Sequence, residues 1–198
     1  MIKRAIKPGI ESSLTGIASA ARTLLVIGIH REELAFGDNV AAGLDLSRVD
    51  LLRIPEGLSG RHPRADQRFH FDTLHRALYL QLLPHVQPRH TVLIDLHAGR
   101  DRDGPCADIF SRDTARLAKI LVKAKAIQPA PRLISLLPDD VMPSAETLIP
   151  PEIWRNPRFL YVGVEIYLSA ADAGRPVDHD YARALLNLLH AESACSGL

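Results

Sequence analysis

Four short, nearly continuous apolar runs set the strongest limit on what this chain can fold into: Leu24 to Ile29, Val92 to Leu96, Leu133 to Leu137 and Phe159 to Val164. Runs of this kind are too short for helices and lack polar alternation, so they read as strands buried on both faces. Val49 to Ile54 and Ala107 to Phe110 are weaker strand candidates. Between them lie segments with apolar residues three and four apart: Phe71 to Leu83, with Leu74, Leu78 and Leu82 in register, Thr114 to Ile127, and Tyr181 to His190 after the acidic start at Asp178 and Asp180. Strands alternating with helices predict an α/β fold, a mostly parallel mixed sheet with helices on both faces. The proline-rich stretch from Leu137 to Pro157 reads as one long loop, a length often reserved for function.

At 198 residues, 46% hydrophobic and without a break in composition, the chain is expected to form a single domain over residues 1–198. Its 24 Lys+Arg against 23 Asp+Glu, a net charge of +1, argue against a nucleic-acid partner and against a disordered acidic chain. Cys106 and Cys195 stand far apart with no paired spacing, so neither a disulfide framework nor a cysteine metal site is expected. The basic start and the Ala18-Ser19-Ala20-Ala21 stretch resemble a secretory signal, but Glu11, Ser12 and Ser13 interrupt the apolar region such a signal needs. No run reaches the ~20 apolar residues of a membrane span. A cytoplasmic protein with no membrane partner is the expectation.

Three of the strands carry ionisable residues at their carboxyl ends, where open α/β sheets bind ligands. The first runs into His30-Arg31-Glu32-Glu33, the second into Asp95-Leu96-His97, and the last carries Glu165. His30 and Glu33 are spaced so that one imidazole and one carboxylate can meet at an ion if the chain turns after the strand. A second imidazole from His97 completes a His2Glu set and leaves a fourth position for water, as a catalytic zinc site requires. Such convergence depends on the first and second of these strands being neighbours. Glu165 interrupts an apolar run, where an unpaired carboxylate is costly to bury.

These segments resemble the zinc carboxypeptidase superfamily, and especially its aspartoacylase and succinylglutamate desuccinylase branch. Gly28 to Glu33 is similar to that family's Gly-x-His-x-x-Glu motif, Ile94 to His97 to the strand ending in the third ligand, and Val162 to Glu165 to the strand bearing the catalytic glutamate. Asp66-Gln67-Arg68-Phe69 resembles the Asp-x-Asn-Arg-x-Phe segment that holds substrate, with glutamine in place of asparagine. Arg31-Glu32 stands where the family has small or amide residues. The resemblance implies a zinc-carboxypeptidase-like α/β/α sandwich without the added C-terminal β domain of aspartoacylases. It further implies Zn2+ on His30, Glu33 and His97, with Glu165 and Arg68 as catalytic residues.

On that reading Glu165 is the general base, Arg68 or Arg61 steadies the developing oxyanion, and Asp95 either supports His97 or points to the opposite face. Arg61, Arg64, Gln67, Arg68 and Arg100 are the expected substrate-binding residues; arginine's planar fork favours a small acidic amide substrate, such as an N-acyl amino acid. Arg102 is near enough in sequence to join them. Arg76 reads as a solvated position, Trp154 as a packing anchor, and His62, His70, His75, His85, His90, His179 and His190 as surface or capping residues. An N-formylglutamate amidohydrolase, a metallocarboxypeptidase or a non-catalytic zinc-binding module are the alternatives, and assembly into a homo-oligomer is left open.

Overall fold

The computed structural model describes residues 21–59, 63–100, 106–123, 127–138, 143–169 and 174–195. Six strands form one sheet: β1 (Arg22–Ile27), β2 (Val49–Arg53), β3 (His90–Gly99), β4 (Ala107–Ser111), β5 (Arg132–Ser135) and β6 (Leu160–Tyr167), in the order β2-β1-β3-β6-β4-β5. All neighbours run parallel except β4 and β6, which are antiparallel. The weaker expectation at Val49 is a strand after all. Its burial is only partial beyond Val49, and β2 is an edge strand of the sheet.

Alternate residues of the strands serve two cores. Leu25 and Ile27 of β1, with Val162 and Val164 of β6, pack against α1 (Leu34–Ala41), α3 (Thr114–Val122) and α5 (Pro176–Cys195). Leu24 and Val26, with Leu93 and Tyr161, pack against α2 (Arg68–Leu80) and α4 (Pro151–Trp154). Helices therefore cover both faces, as the continuous apolar runs require. Among the described residues no helix is long and apolar enough to cross a membrane.

Three expectations need correction. The buried stripe of α2 is His75 and Tyr79, continued by Leu82, whereas Leu74 is exposed. The stretch after Leu137 is not wholly loop: Pro150 and Pro151 start the short helix α4, where a missing N–H costs nothing. Trp154 is buried there, its ring under the Arg155 guanidinium, in keeping with a packing role. Finally, His90 is buried at the opposite end of β3 from His97, with Nε2 2.8 Å from Asp50, which also accepts hydrogen bonds from Arg22 and Arg89.

Candidate metal centre

The site begins where β1 ends. Gly28 adopts φ +83°, open to glycine, and a Cβ there would collide with the Ile54 carbonyl oxygen. The chain then pairs with the segment after β2, Leu58 N–H donating to Ile29 O and Arg31 N–H to Leu58 O, before entering a 3-10 turn over Arg31–Glu33. Residues three apart eclipse in such a turn. His30 Nδ1 consequently lies 2.8 Å from Glu33 Oε1. Arg31 and Glu32 face solvent, with Glu32 accepting from the Ser59 hydroxyl, so the residues that depart from the family motif stay out of the site.

Strand β3 lies directly beside β1, with Leu96 opposite Ile27. His97, one residue on, places Nδ1 2.9 Å from the second carboxylate oxygen of Glu33. One ligand atom from each of His30, Glu33 and His97 lies within 4.8 Å of the others. Two imidazole nitrogens thus converge on the two oxygens of one carboxylate.

The far side of His97 is held as firmly. Its Nε2 is 3.0 Å from Asp95 Oδ2, and that same oxygen accepts hydrogen bonds from Tyr79 (2.6 Å) and Tyr161 (3.0 Å). Asp95 is fully buried and shares the face of His97, since residues two apart on a strand point the same way. Its side chain does not turn to the other face. Burial opposes ionisation of Asp95, but His97 and the two hydroxyls outweigh it and hold the carboxyl below its usual range. Burial likewise opposes the charge on Glu33, and hydrogen bonds from His30 and His97 bring its pKa down.

This donor set fits a divalent transition metal. A metal there would replace the proton that His97 Nδ1 shares with Glu33, and Asp95 would keep the remaining proton on Nε2, the arrangement in which metal-bound imidazoles are usually supported. Two imidazoles and a carboxylate match zinc's preferred ligands.

Glu165 sits opposite His97 in the β3–β6 register. A Cβ at Gly99 would run into its carboxylate, so glycine at that position leaves room for the side chain. Burial pushes the Glu165 carboxyl up to about 7, with His97 pulling against the rise and Glu33 adding to it.

The arginines stand apart from this cluster. Arg64, Gln67 and Arg68 are exposed at the start of α2, and Arg68 approaches Asp72 at 3.9 Å. Arg100 is exposed just after β3. Among the described residues, no hydrogen bond or ion pair joins these four to His30, Glu33, His97 or Glu165. Arg61, His62 and Arg102 lie outside the described residues. Arg76 pairs with Glu152 at 3.1 Å on the surface, as a solvated position would.

Sequence reasoning missed His75 and the two tyrosines. His75 is buried, its ring 5.9 Å from that of His30 and 4.9 Å from that of Tyr79, and its Nδ1 has no hydrogen-bond partner among the described residues. Burial, helped by His30, pushes its pKa down to about 4, so the ring is neutral. The i, i+4 spacing of His75 and Tyr79 was the available signal.

Neither a protein-family model nor a curated protein sequence matches the chain. Solved structures do. The zinc-free form of YndL superposes with a TM-score of 0.51 at 15% identity, over 86% of this chain and 85% of that one. The catalytic domain of the CD27L endolysin, which targets Clostridia difficile, gives 0.50 at 14%, over 88% and 97%. A succinylglutamate desuccinylase from Vibrio parahaemolyticus gives 0.46 at 16%, over 87% and 67%. The chain shares with the first two an α/β/α fold, here a mostly parallel mixed sheet with helices on both faces. In it the centre occupies the carboxyl ends of β1, β3 and β6, the crest where α/β sheets bind their ligands.

Proposed function

We propose that the chain is a zinc-dependent amide hydrolase acting on a small substrate that bears a carboxylate, such as an N-acyl amino acid. The observation that carries this reading is the pairing of a His30, Glu33 and His97 cluster, backed by Asp95, with a buried carboxyl at Glu165 in the adjacent strand. The description of the YndL structure as a zinc-free form supports zinc as the metal.

His30, Glu33 and His97 would hold the metal. Zinc held there supplies Lewis-acid chemistry, polarising a carbonyl and making hydroxide available near neutral pH. Glu165 takes up the proton of the attacking water and returns it to the leaving amine; a carboxyl with a pKa of about 7 is matched to both transfers. Tyr79 and Tyr161 keep Asp95 in place, and Asp95 keeps the His97 ring oriented. Arg68 precedes His75 by two helical turns, roughly 10 Å along α2, which is within reach of a carboxylate at the far end of a bound substrate. Arg61, Arg64, Gln67 and Arg100 are its proposed companions.

Elemental analysis of the purified chain tests the metal assignment, with about one zinc per chain expected. Single alanine variants at His30, Glu33 and His97 should each lose most of it. Full metal content in all three would place the metal elsewhere.

A further inference from the structure

A cavity of about 160 Å3 opens against His97 and Glu165 on the β4 side of the centre. Its remaining wall is chiefly Phe110, Leu136, Ala145 and Ile149. Tyr161 borders it too, but its hydroxyl is committed to Asp95, and the Thr147 hydroxyl accepts the Ile149 N–H. Among the described residues no lysine or arginine lines the space; the ionisable groups there besides His97 are the carboxyls of Glu146 and Glu165.

Beyond the metal centre, a second acidic group on the substrate would find no lysine or arginine among the described lining residues and would face the carboxyls of Glu146 and Glu165. Apolar walls reward an aliphatic group instead, by about 0.8 kcal/mol, or about fourfold, for each methylene buried. At ~30 Å3 per water-sized group the space holds about five non-hydrogen atoms. Gly163 keeps it open: a Cβ there would lie 3.2 Å from the Tyr161 hydroxyl and 3.3 Å from Phe110 Cβ.

We infer that this cavity receives an uncharged aliphatic group of about three to five carbon atoms attached next to the scissile carbonyl. The inference rests on the amide-hydrolase reading and narrows it. The substrate is acidic at one end at most, with its carboxylate directed towards α2 and its apolar end towards β4. A succinyl or aspartyl chain does not belong in the cavity.

The test uses small amides as probes of the 15N-labelled, zinc-loaded chain, followed through the amide signals of Ala145 and Gly163. Butyramide should bind about fifteenfold more tightly than acetamide, two methylenes at about fourfold each. Succinamate and 4-aminobutyramide, which carry a charge at the same reach, should bind no better than acetamide. Ala145→Phe fills the space and should erase the butyramide advantage; Gly163→Ala narrows it and should reduce that advantage if the phenylalanine variant does not fold. Either charged probe matching butyramide, no gain over acetamide, or an advantage unaltered in the folded variants would overturn the inference. In turnover, the kcat/KM ratio of N-butyryl to N-formyl amino acids should fall at least tenfold in Ala145→Phe. Selective binding of butyramide without hydrolysis of any amide would leave the cavity assignment standing and remove the hydrolase reading.

Discussion

Asp95→Asn is the perturbation that most directly tests how the centre is built. Three donors converge on Asp95 Oδ2: the Tyr79 hydroxyl at 2.6 Å, the Tyr161 hydroxyl at 3.0 Å and His97 Nε2 at 3.0 Å. A hydrogen bond to a charged acceptor contributes about 1.5–3 kcal/mol and one to a neutral acceptor about 0.5–1.5. Neutralising the acceptor therefore costs about 1 kcal/mol at each donor, about 3 in all. The new amide NH2 would occupy the place of Oδ1, which has no hydrogen-bond partner among the described residues, adding an unsatisfied donor worth about 1–3 kcal/mol. Against this stands the relief of no longer burying a charge. The net loss is about 3 kcal/mol, which for a chain of this size lowers Tm by roughly 6–12 °C. Because His97 is then held by a neutral oxygen in place of a carboxylate, zinc affinity should fall about 10- to 100-fold. Thermal unfolding of the metal-stripped protein reads the first effect, and competition with a chromophoric chelator reads the second. A Tm within about 2 °C of wild type, together with zinc affinity within about threefold, would refute the idea that Asp95 organises the centre.

Glu165→Gln should retain zinc and the fold but lose at least 100-fold in kcat, because an amide cannot accept the water proton; undiminished turnover would end the assignment of Glu165 as base. Arg68→Lys keeps the charge but not the fork, so kcat/KM should fall more for an N-acyl amino acid than for its neutral amide counterpart, and an equal fall for both would detach Arg68 from carboxylate recognition. Asp50 is held well below the usual carboxylate range, first by its hydrogen bonds from Arg22 and then with help from His90, against a burial effect that opposes them. The stability it contributes is present above the unfolded value near ~3.9 and is lost as pH falls through the lower folded value. Asp50→Asn should accordingly cost about 1–2 kcal/mol at pH 7 and less at pH 3, measured by urea unfolding, and a cost independent of pH would contradict that linkage.

What the sequence made legible follows from which forces act locally. The strands announced themselves because a strand covered on both faces must be apolar at nearly every position. Helix α1 went unread because it is one eight-residue segment containing Gly37, whose buried face of Phe36, Gly37, Val40 and Ala41 completes barely two turns of the helical period. On α2 and just beyond it, Leu78 and Leu82 do pack on the core, but Leu74 is exposed and the positions facing the centre went unread for a different reason. That helix lies over the polar centre as well as over the core, so its inward positions hold a ring that packs on His30 and a hydroxyl that donates to Asp95. Hydrophobic periodicity cannot register a face selected for donors. His90 was read as a surface or capping residue because its partner, Asp50, is forty positions away on another strand.

The candidate ligands could be listed from sequence, but their meeting depends on strand order, which no local pattern encodes. Glu33 and His97 come together because β3 pairs with β1, and Glu165 joins them because β6, the last strand in the chain, is inserted between β3 and β4. In the register of those strands His97 faces Glu165, and Glu165 faces Asp108 across the antiparallel step. A one-residue slip of β6 would turn Glu165 into the opposite core and bring Val164 or Ile166 to the centre, since side chains alternate faces. Val164 and Ile166 are fixed in the core beneath α5 and α3, and that packing is what holds Glu165 on the side of the imidazoles. The apolar run around Glu165 is thus the device that sets the position of the carboxylate and, by burying it, raises its pKa into the range where it can both take and give a proton.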